Sequence, residues 1–413
     1  MANDILTAKN APGVTAKLSA ANILEKALFC KSISKEDSSL WSDAYKSSSP
    51  GDTIYVKRPA QFTVGSSLDI TSAIQDIKDT KVALTLDKVA TTAIKMSSLE
   101  IAYDKPIKYW NDNYVEPVMA ALAGNLDTWA LEKAARYTNN LVGTAGTQPG
   151  AIRGFLNARQ KLVENDAPLD NKAFFFINPA TNTETVDVRK GLFNKSSLIS
   201  DNYEWGYIGT GEGFNYMEGN FLPTFTNGVD VAATVEASVV TIANGMTTLG
   251  LGDVTSGATI KVGSVFTIAN VYDVHPITKA ALPTLKQFSV LASVTEASGN
   301  EVTISISPAI YYTADGRQNV SAIPVDEAAV TFFGAASTAY QQNLGCHKEA
   351  FRLATVPLHL PKNQEFAAQE TIDGITVSVV RGFDIRTREE ILRFDLLAGL
   401  AAVRPEWAVR YAG

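Results

Sequence analysis

The sequence predicts an α+β protein interrupted by an inserted all-β domain, and three observations carry that prediction. Residues 113–142 repeat apolar side chains at the helical period over about eight turns. Residues 81–103 alternate in the two-residue period of a strand. At about residue 226 the composition switches to Val, Thr, Ile, Gly and Ser with little helical periodicity, and mixed sequence resumes at about residue 344. A chain of 413 residues exceeds one compact core, so two or three domains are expected.

The N-terminal segment places Leu18, Ala21, Leu24, Leu28 and Phe29 on one helical stripe within residues 17–29. A polar stretch then ends in Ser49-Pro50-Gly51-Asp52, a turn signal. Ile54, Tyr55 and Val56 open a strand that Pro59 ends or confines to an edge. Val82, Leu84 and Leu86 share one face of the next strand, with Thr85 and Asp87 on the other. Residues 52–103 therefore read as a long β-hairpin whose polar tip is 61–80. Two strands alone are marginal in water, so this arm is expected to rest on a neighbour.

The long helix has Asn113 as its expected N-cap, Glu116 as capping-box partner and Pro117 in the first turn, where its missing N–H costs nothing. Gly143 supplies the stop. Residues 152–163 read as a short helix, Ala173–Ile177 as a buried strand ended by Asn178-Pro179, and Gly209–Gly213 as a turn. Within the β-rich block, strands are expected at 239–242, 259–262, 265–268, 288–291 and 302–306. Nine acidic and four basic residues lie between Val229 and Asn343, most of the net charge of −7. Extended segments follow at 351–361 and 376–385, with another regular segment at 390–400.

The chemistry the sequence excludes is as informative. A pI near 5.2 argues against a dedicated nucleic-acid binder. With 46% hydrophobic residues, disorder is excluded. Two distant cysteines, Cys30 and Cys346, make neither a disulfide scaffold nor a four-cysteine zinc site. His275, His347 and His359 lack metal or triad spacing, and Gly209–Gly213 lacks the ending of a phosphate loop. No signal peptide or membrane-length apolar run is visible, so a soluble cytoplasmic product is expected. Arg381, Arg386, Arg388, Arg393, Arg404 and Arg410 alternate with acids, the pattern of contacts within the fold or between subunits. No catalytic constellation, cofactor site or metal site is expected.

The order of these elements resembles the major capsid proteins of tailed double-stranded-DNA bacteriophages with the HK97 fold. More narrowly, it is similar to the short-tailed-phage branch that carries an inserted β-barrel. Phe174-Phe-Phe-Ile-Asn178-Pro179 resembles the strand end of that branch, and Gly213-Phe-Asn-Tyr-Met-Glu218 with Leu222-Pro223 resembles its approach to the insertion. Gly263–Val271, His275-Pro276 and Gln287-Phe288-Ser289 are similar to barrel sequences. Asp373-Gly374-Ile375, Phe394–Leu400 and Ala402–Glu406 resemble the closing strands.

The resemblance implies an N-terminal arm at 1–50 and a peripheral domain at 51–143 comprising extended loop, hairpin and spine helix. It implies an axial domain at 144–225 plus 344–413, and an inserted all-β domain at 226–343. It implies a protein that is no enzyme and tiles with itself as hexamers and pentamers, around double-stranded DNA, with a scaffolding protein and a portal as partners and no membrane. Assembly would take place in the host cytoplasm. The expected subunit-contact residues are Arg58, Asp69, Asp76, Lys78, Arg386, Arg388, Glu389 and Glu390. Two rivals stay open at this point: a soluble hydrolase with a β-sandwich module, and another phage structural protein such as a tail-tube or decoration protein.

Overall fold

The computed structural model describes residues 12–36, 53–62, 64, 74–75, 80–97, 111–189, 208–228, 232–297, 299–358, 360, 366–386 and 389–413. The chain divides into two compact units, one of residues 1–56, 82–130 and 351–401, the other of 57–81, 131–350 and 402–413.

In the first unit, strand Glu389–Ala402 is the centre of the sheet. On one side it pairs antiparallel with Thr80–Ser97 from Ser97↔Glu389 to Leu86↔Gly399, and that strand in turn pairs Thr53–Arg58. On the other it meets Ile375–Asp384, which pairs Phe366–Ile372, and Phe351–Val356, which pairs parallel with Ser34–Lys35. Thr53–Arg58 and Thr80–Ser97 pair with each other, and Thr80–Ser97 also pairs Glu389–Ala402 of its own chain; most of the expected tip 61–80 and residues 98–103 lie outside the described residues. Leu84, Leu86 and Ala90 point inward and are buried, as the alternation predicts.

Helix α1 (Pro12–Lys26) packs on Phe366–Ile372 and Ile375–Asp384. Its buried face is Ala16, Ser19, Ala20 and Ile23, continued by Ala27; Leu18 and Leu24 are only partly covered and Ala21 is exposed. The expected leucine stripe is thus displaced. Small side chains let the helix backbone approach the sheet, and close packing outweighs the larger apolar area of leucine. Helix α2 (Leu28–Ser32) follows, with Phe29 against Phe351 at a ring separation of 6.2 Å.

Helix α3 (Glu116–Tyr137) is the long helix, shorter at both ends than the 113–142 expectation. Asn113 lies inside a π turn, Asn111–Val115, rather than at the cap. Val115, Met119, Leu122, Leu126 and Ala130 are buried at the expected period. At the other end Thr138 turns its hydroxyl back to the Ala134 carbonyl, and Asn139 and Asn140 stop the helix because their short polar side chains bond backbone elsewhere. Asn140 Nδ2 donates to the carbonyls of Glu406 and Ala408, both at 3.0 Å. Leu141–Val142 then runs parallel to Ala408–Ala412.

The second unit holds a mixed sheet and a barrel. The sheet runs Leu141–Val142, Ala408–Ala412, Ala339–His347, Ala173–Ile177, Phe214–Glu218, Thr210–Gly211, with Thr224–Thr226 also on Ala339–His347. Helices α4 (Ile152–Glu164) and α5 (Pro179–Arg189) belong to this unit. Phe155 of α4 meets Phe175, Tyr216 and Tyr411 edge-on at 5.0, 5.3 and 5.2 Å. Asn178 both ends the strand and starts α5, its Oδ1 accepting the Thr181 N–H at 2.7 Å. Gly209–Gly213 is a turn, with Glu212 and Gly213 at φ +48° and +87°.

The barrel closes in the order Met246–Gly252, Val302–Ile310, Ala281–Val290, Val265–Val274, Ala329–Phe332, Ala232–Val235. Its interior is apolar, with Phe266, Phe288, Ile268, Val290, Ile304 and Leu249 essentially inaccessible. Of the expected strands, 239–242 is a turn instead, and Met246–Gly252, Ala232–Val235 and Ala329–Phe332 are additions. The expected single axial piece 344–413 divides: residues 351–401 group with the hairpin unit, and 402–413 with the mixed sheet. Backbone pairing decides this, since Glu389–Ala402 bonds Thr80–Ser97 whereas Ala408–Ala412 bonds Ala339–His347.

Candidate assembly surfaces

The candidate site is the charged and apolar surface that the fold leaves uncovered. The ion pairs come first, because a charge already matched inside the chain has less to give a neighbour.

In the first unit, Lys95 reaches Glu389 at 2.6 Å across the hairpin–strand ladder, and Arg381 Nε reaches Glu390 at 3.3 Å on the opposite side. Arg393 Nε and Thr91 both donate to Asp395 Oδ1 at 2.8 Å. Arg352 pairs with Glu36 at 2.6 Å and Lys35 with Asp373 at 2.5 Å, fastening the segment after α2. Lys26 pairs with Glu116 at 3.0 Å, and this contact holds its ammonium above the usual lysine range.

In the second unit Arg58 pairs with Glu406. Arg189 pairs with Glu212, which also accepts the Tyr216 hydroxyl at 2.7 Å. Burial, then the neighbouring carboxylate, pushes that phenol well above its ordinary range. His347 Nε2 lies 3.0 Å from Asp170 Oδ1, and His347 Nδ1 accepts the Glu349 N–H at 3.2 Å. Because Nδ1 accepts, the proton sits on Nε2 and is donated to Asp170. The Lys172 ammonium first, then His347, holds the Asp170 carboxyl well below the usual carboxylate range. Cys30 and Cys346 are both reduced and buried. Among the described residues no group of His, Cys, Asp or Glu could hold a metal ion. Nor is any described helix long and apolar enough to cross a membrane.

Four expected contact residues, Asp69, Asp76, Lys78 and Arg388, lie outside the described residues, as does His359. Arg58, Glu389 and Glu390 each make an ion pair inside the chain. Arg386 is exposed, its backbone N–H bonded to Asp384 Oδ1 at 2.9 Å. Beside it stand Phe383 and Ile385, 57% and 81% exposed, at the turn between Ile375–Asp384 and Glu389–Ala402. Tyr55 at 64%, on the outer hairpin strand, is exposed too, as are Phe62 and Val64 in the other unit. Charge pattern alone misses these apolar groups. The signal that finds them is an aromatic or branched apolar residue beside a polar turn, as in Phe383-Asp384-Ile385-Arg386.

The sequence profile described as "P22 coat protein - gene protein 5" matches residues 33–413. The chain belongs to the P22 coat protein family. Among curated relatives, a "Major capsid protein" of Acyrthosiphon pisum secondary endosymbiont phage 1 is 22% identical over 388 residues, covering 89% of this chain and 90% of that one. Among solved structures, that of Mycobacterium phage Che8 aligns over 93% of this chain and 90% of its own, with a TM-score of 0.45 and 12% identity. The CUS-3 coat protein I-domain is 29% identical, covering 25% of this chain and 95% of its own, with a TM-score of 0.18. As a member of this coat protein family the chain is a phage major capsid protein, a structural part of the virion shell.

Proposed function

We propose that copies of this coat protein assemble into the icosahedral shell, as procapsid and then capsid, that encloses a double-stranded DNA genome. The observation that carries this reading is the family match from residue 33 to the last residue. The element order supports an HK97-type arrangement: an arm at 1–50, then hairpin and spine helix, then an axial region with the 226–343 insertion. The pairing of Glu389–Ala402 with Thr80–Ser97 supports reading 351–401 together with the hairpin in that arrangement.

The mechanism is geometric. Each copy contributes modest contacts that must close into rings rather than run on as filaments. Many such contacts are strong in aggregate and correctable singly. Arg386 with exposed Phe383 and Ile385, exposed Tyr55, and separately the 61–80 segment with Asp69, Asp76 and Lys78, are the surfaces we assign to neighbours, together with Arg388. Arg58, Glu389 and Glu390 serve the subunit's own fold first. A scaffolding protein and a portal complete the assembly in the host cytoplasm, and no catalysis is involved. The net charge of −7 favours enclosing DNA without gripping it.

Negative-stain microscopy of the purified chain, expressed alone and with its phage's scaffolding protein, tests this. Closed or partial shells are expected; only tubes or free monomers under every condition would overturn it.

A further inference from the structure

The second unit contains a cavity of about 300 Å³ whose lining is unusually rich in cations for an acidic domain. Arg58, Lys279, Lys286 and Arg317 all line it, with Glu406 as the one lining carboxylate. Three of these cations are matched. Arg58 pairs with Glu406, Lys286 with Asp273 at 2.8 Å, and Arg317 with Asp315 at 3.6 Å. Lys279 is the surplus charge. Among the described residues it has no carboxylate at ion-pair distance; its ammonium donates to the carbonyls of Gly316 at 2.7 Å and Gln318 at 3.3 Å. Carbonyl dipoles hold an ammonium but do not neutralise it.

The site is built rather than incidental. Lys286 is 4% exposed, so one lining cation, paired with Asp273, is buried away from water. The guanidinium of Arg317 is fixed over the Tyr311 ring at 4.8 Å, and its Nε is buried with no hydrogen-bond partner. Lys279 itself has a left-handed backbone, φ +56°, a conformation that Asn or Gly adopts at less cost. Gly316, whose carbonyl holds Lys279, packs tightly on Gln61 of the lining, where a Cβ would lie 2.1 Å from the Gln61 carbonyl oxygen. Burial lowers the Lys279 ammonium from its ordinary range, with the Asp315 charge opposing, which is the electrostatic state an incoming anion relieves.

We propose that this cavity binds a phosphoryl group, with Lys279 and Arg317 as its principal partners. A phosphate oxygen offers charge-assisted acceptors to an ammonium and a guanidinium together, which is the pairing a surplus cation in a partly dry cavity lacks. Free phosphate or diphosphate and the phosphate of a mononucleotide share that chemistry. Tyr137, Tyr311 and Pro308 also line the cavity and give it apolar faces beside the cations.

Thermal unfolding of the purified full chain, with isothermal titration, tests the assignment using inorganic phosphate, diphosphate, a nucleoside monophosphate and the matching nucleoside, each against chloride at equal ionic strength. Phosphate or diphosphate is expected to raise the melting temperature above chloride. Lys279→Asn is expected to weaken binding about tenfold or more while the unliganded chain keeps its circular dichroism, because Asn suits the left-handed backbone. Arg317→Gln should act in the same direction. Tighter binding of the nucleotide with a silent nucleoside would assign the site to nucleotides, and equal binding to free phosphate; both support the proposal. No stabilisation beyond chloride, or undiminished binding in Lys279→Asn, would overturn it.

Discussion

Asp127, in the middle of the long helix, accepts the backbone N–H of Cys30 at 3.0 Å and of Phe29 at 3.1 Å. It therefore acts as the N-cap of α2 from 97 and 98 residues away, where the preceding residue Ala27 offers no side-chain bond. One buried carboxylate thus fastens the N-terminal segment to the spine of the first unit.

Replacing Asp127 by Ala leaves two buried N–H groups without acceptors. The expected cost is about 1–3 kcal/mol, read from urea unfolding of dissociated subunits. The pH response follows from burial, which raises the Asp127 carboxyl above the ordinary aspartate range, against its hydrogen bonds from Cys30 and Phe29. A raised carboxyl contributes stability that is full below the unfolded-state value and fades as pH rises through the folded one. Asp127→Asn should remove that slope as pH rises above the ordinary aspartate range; an unchanged slope would assign it elsewhere.

Asp170 carries the opposite sign. Its carboxyl is held low by Lys172 and His347, so its contribution is present above the ordinary aspartate value near 3.9 and is lost as pH falls through the depressed one. Melting curves from pH 7 down to strong acid should show the wild type losing more than Asp170→Asn. Equal losses would remove Asp170 from the acid response.

The two thiols should be silent in the folded chain. Burial pushes Cys346 up to about 12, and burial with the nearby Asp127 pushes Cys30 well above the ordinary thiol range. Since the thiolate is the reactive form, alkylation measured by mass spectrometry should follow unfolding. Prompt labelling of native subunits at neutral pH would contradict these environments.

Gln287 joins the barrel to the mixed sheet by imitating a strand. Its Oε1 accepts the Leu141 N–H at 2.8 Å and its Nε2 donates to the Leu141 carbonyl at 2.9 Å. Arg410, fully buried, donates beside it to the Gly263 carbonyl at 2.7 Å. Gln287→Ala should cost about 1–3 kcal/mol and speed hydrogen exchange at Leu141 while leaving the barrel's own amides protected.

Residues 226–343 expressed alone should give a soluble, cooperatively unfolding β domain, since the barrel closes on itself around its own apolar interior. A chain without dispersed amide resonances would refute that independence.

Much of this architecture is legible because period survives into burial. Leu84 and Leu86, Met119 to Ala130, and Phe175 to Ile177 all bury the faces their spacing assigns. What escapes has a tertiary cause. The α1 stripe moves from leucines to Ala16, Ala20 and Ile23 because the sheet beneath rewards close approach. The helix end at Tyr137 is signalled by Thr138-Asn139-Asn140, but only the carbonyls of Glu406 and Ala408 make that signal decisive. The cation-lined cavity gathers Arg58, Lys279 and Arg317 from distant segments, so spacing along the chain carries no trace of it. Likewise, the alternating charges around Glu389 and Glu390 suggested contacts without saying with whom; strand register resolves them to Lys95 and Arg381.

The ladder between Thr80–Ser97 and Glu389–Ala402 also sets a timetable for synthesis. Thr91 and Asp395, which bond across it, are 304 residues apart, whereas every barrel strand lies within 232–332. A ribosome can therefore release a finished barrel while the earlier hairpin strand still waits, edge bare, for a partner not yet translated. The hairpin unit closes long after the barrel, and the interval before it does is when the nascent polypeptide most needs protection from its siblings.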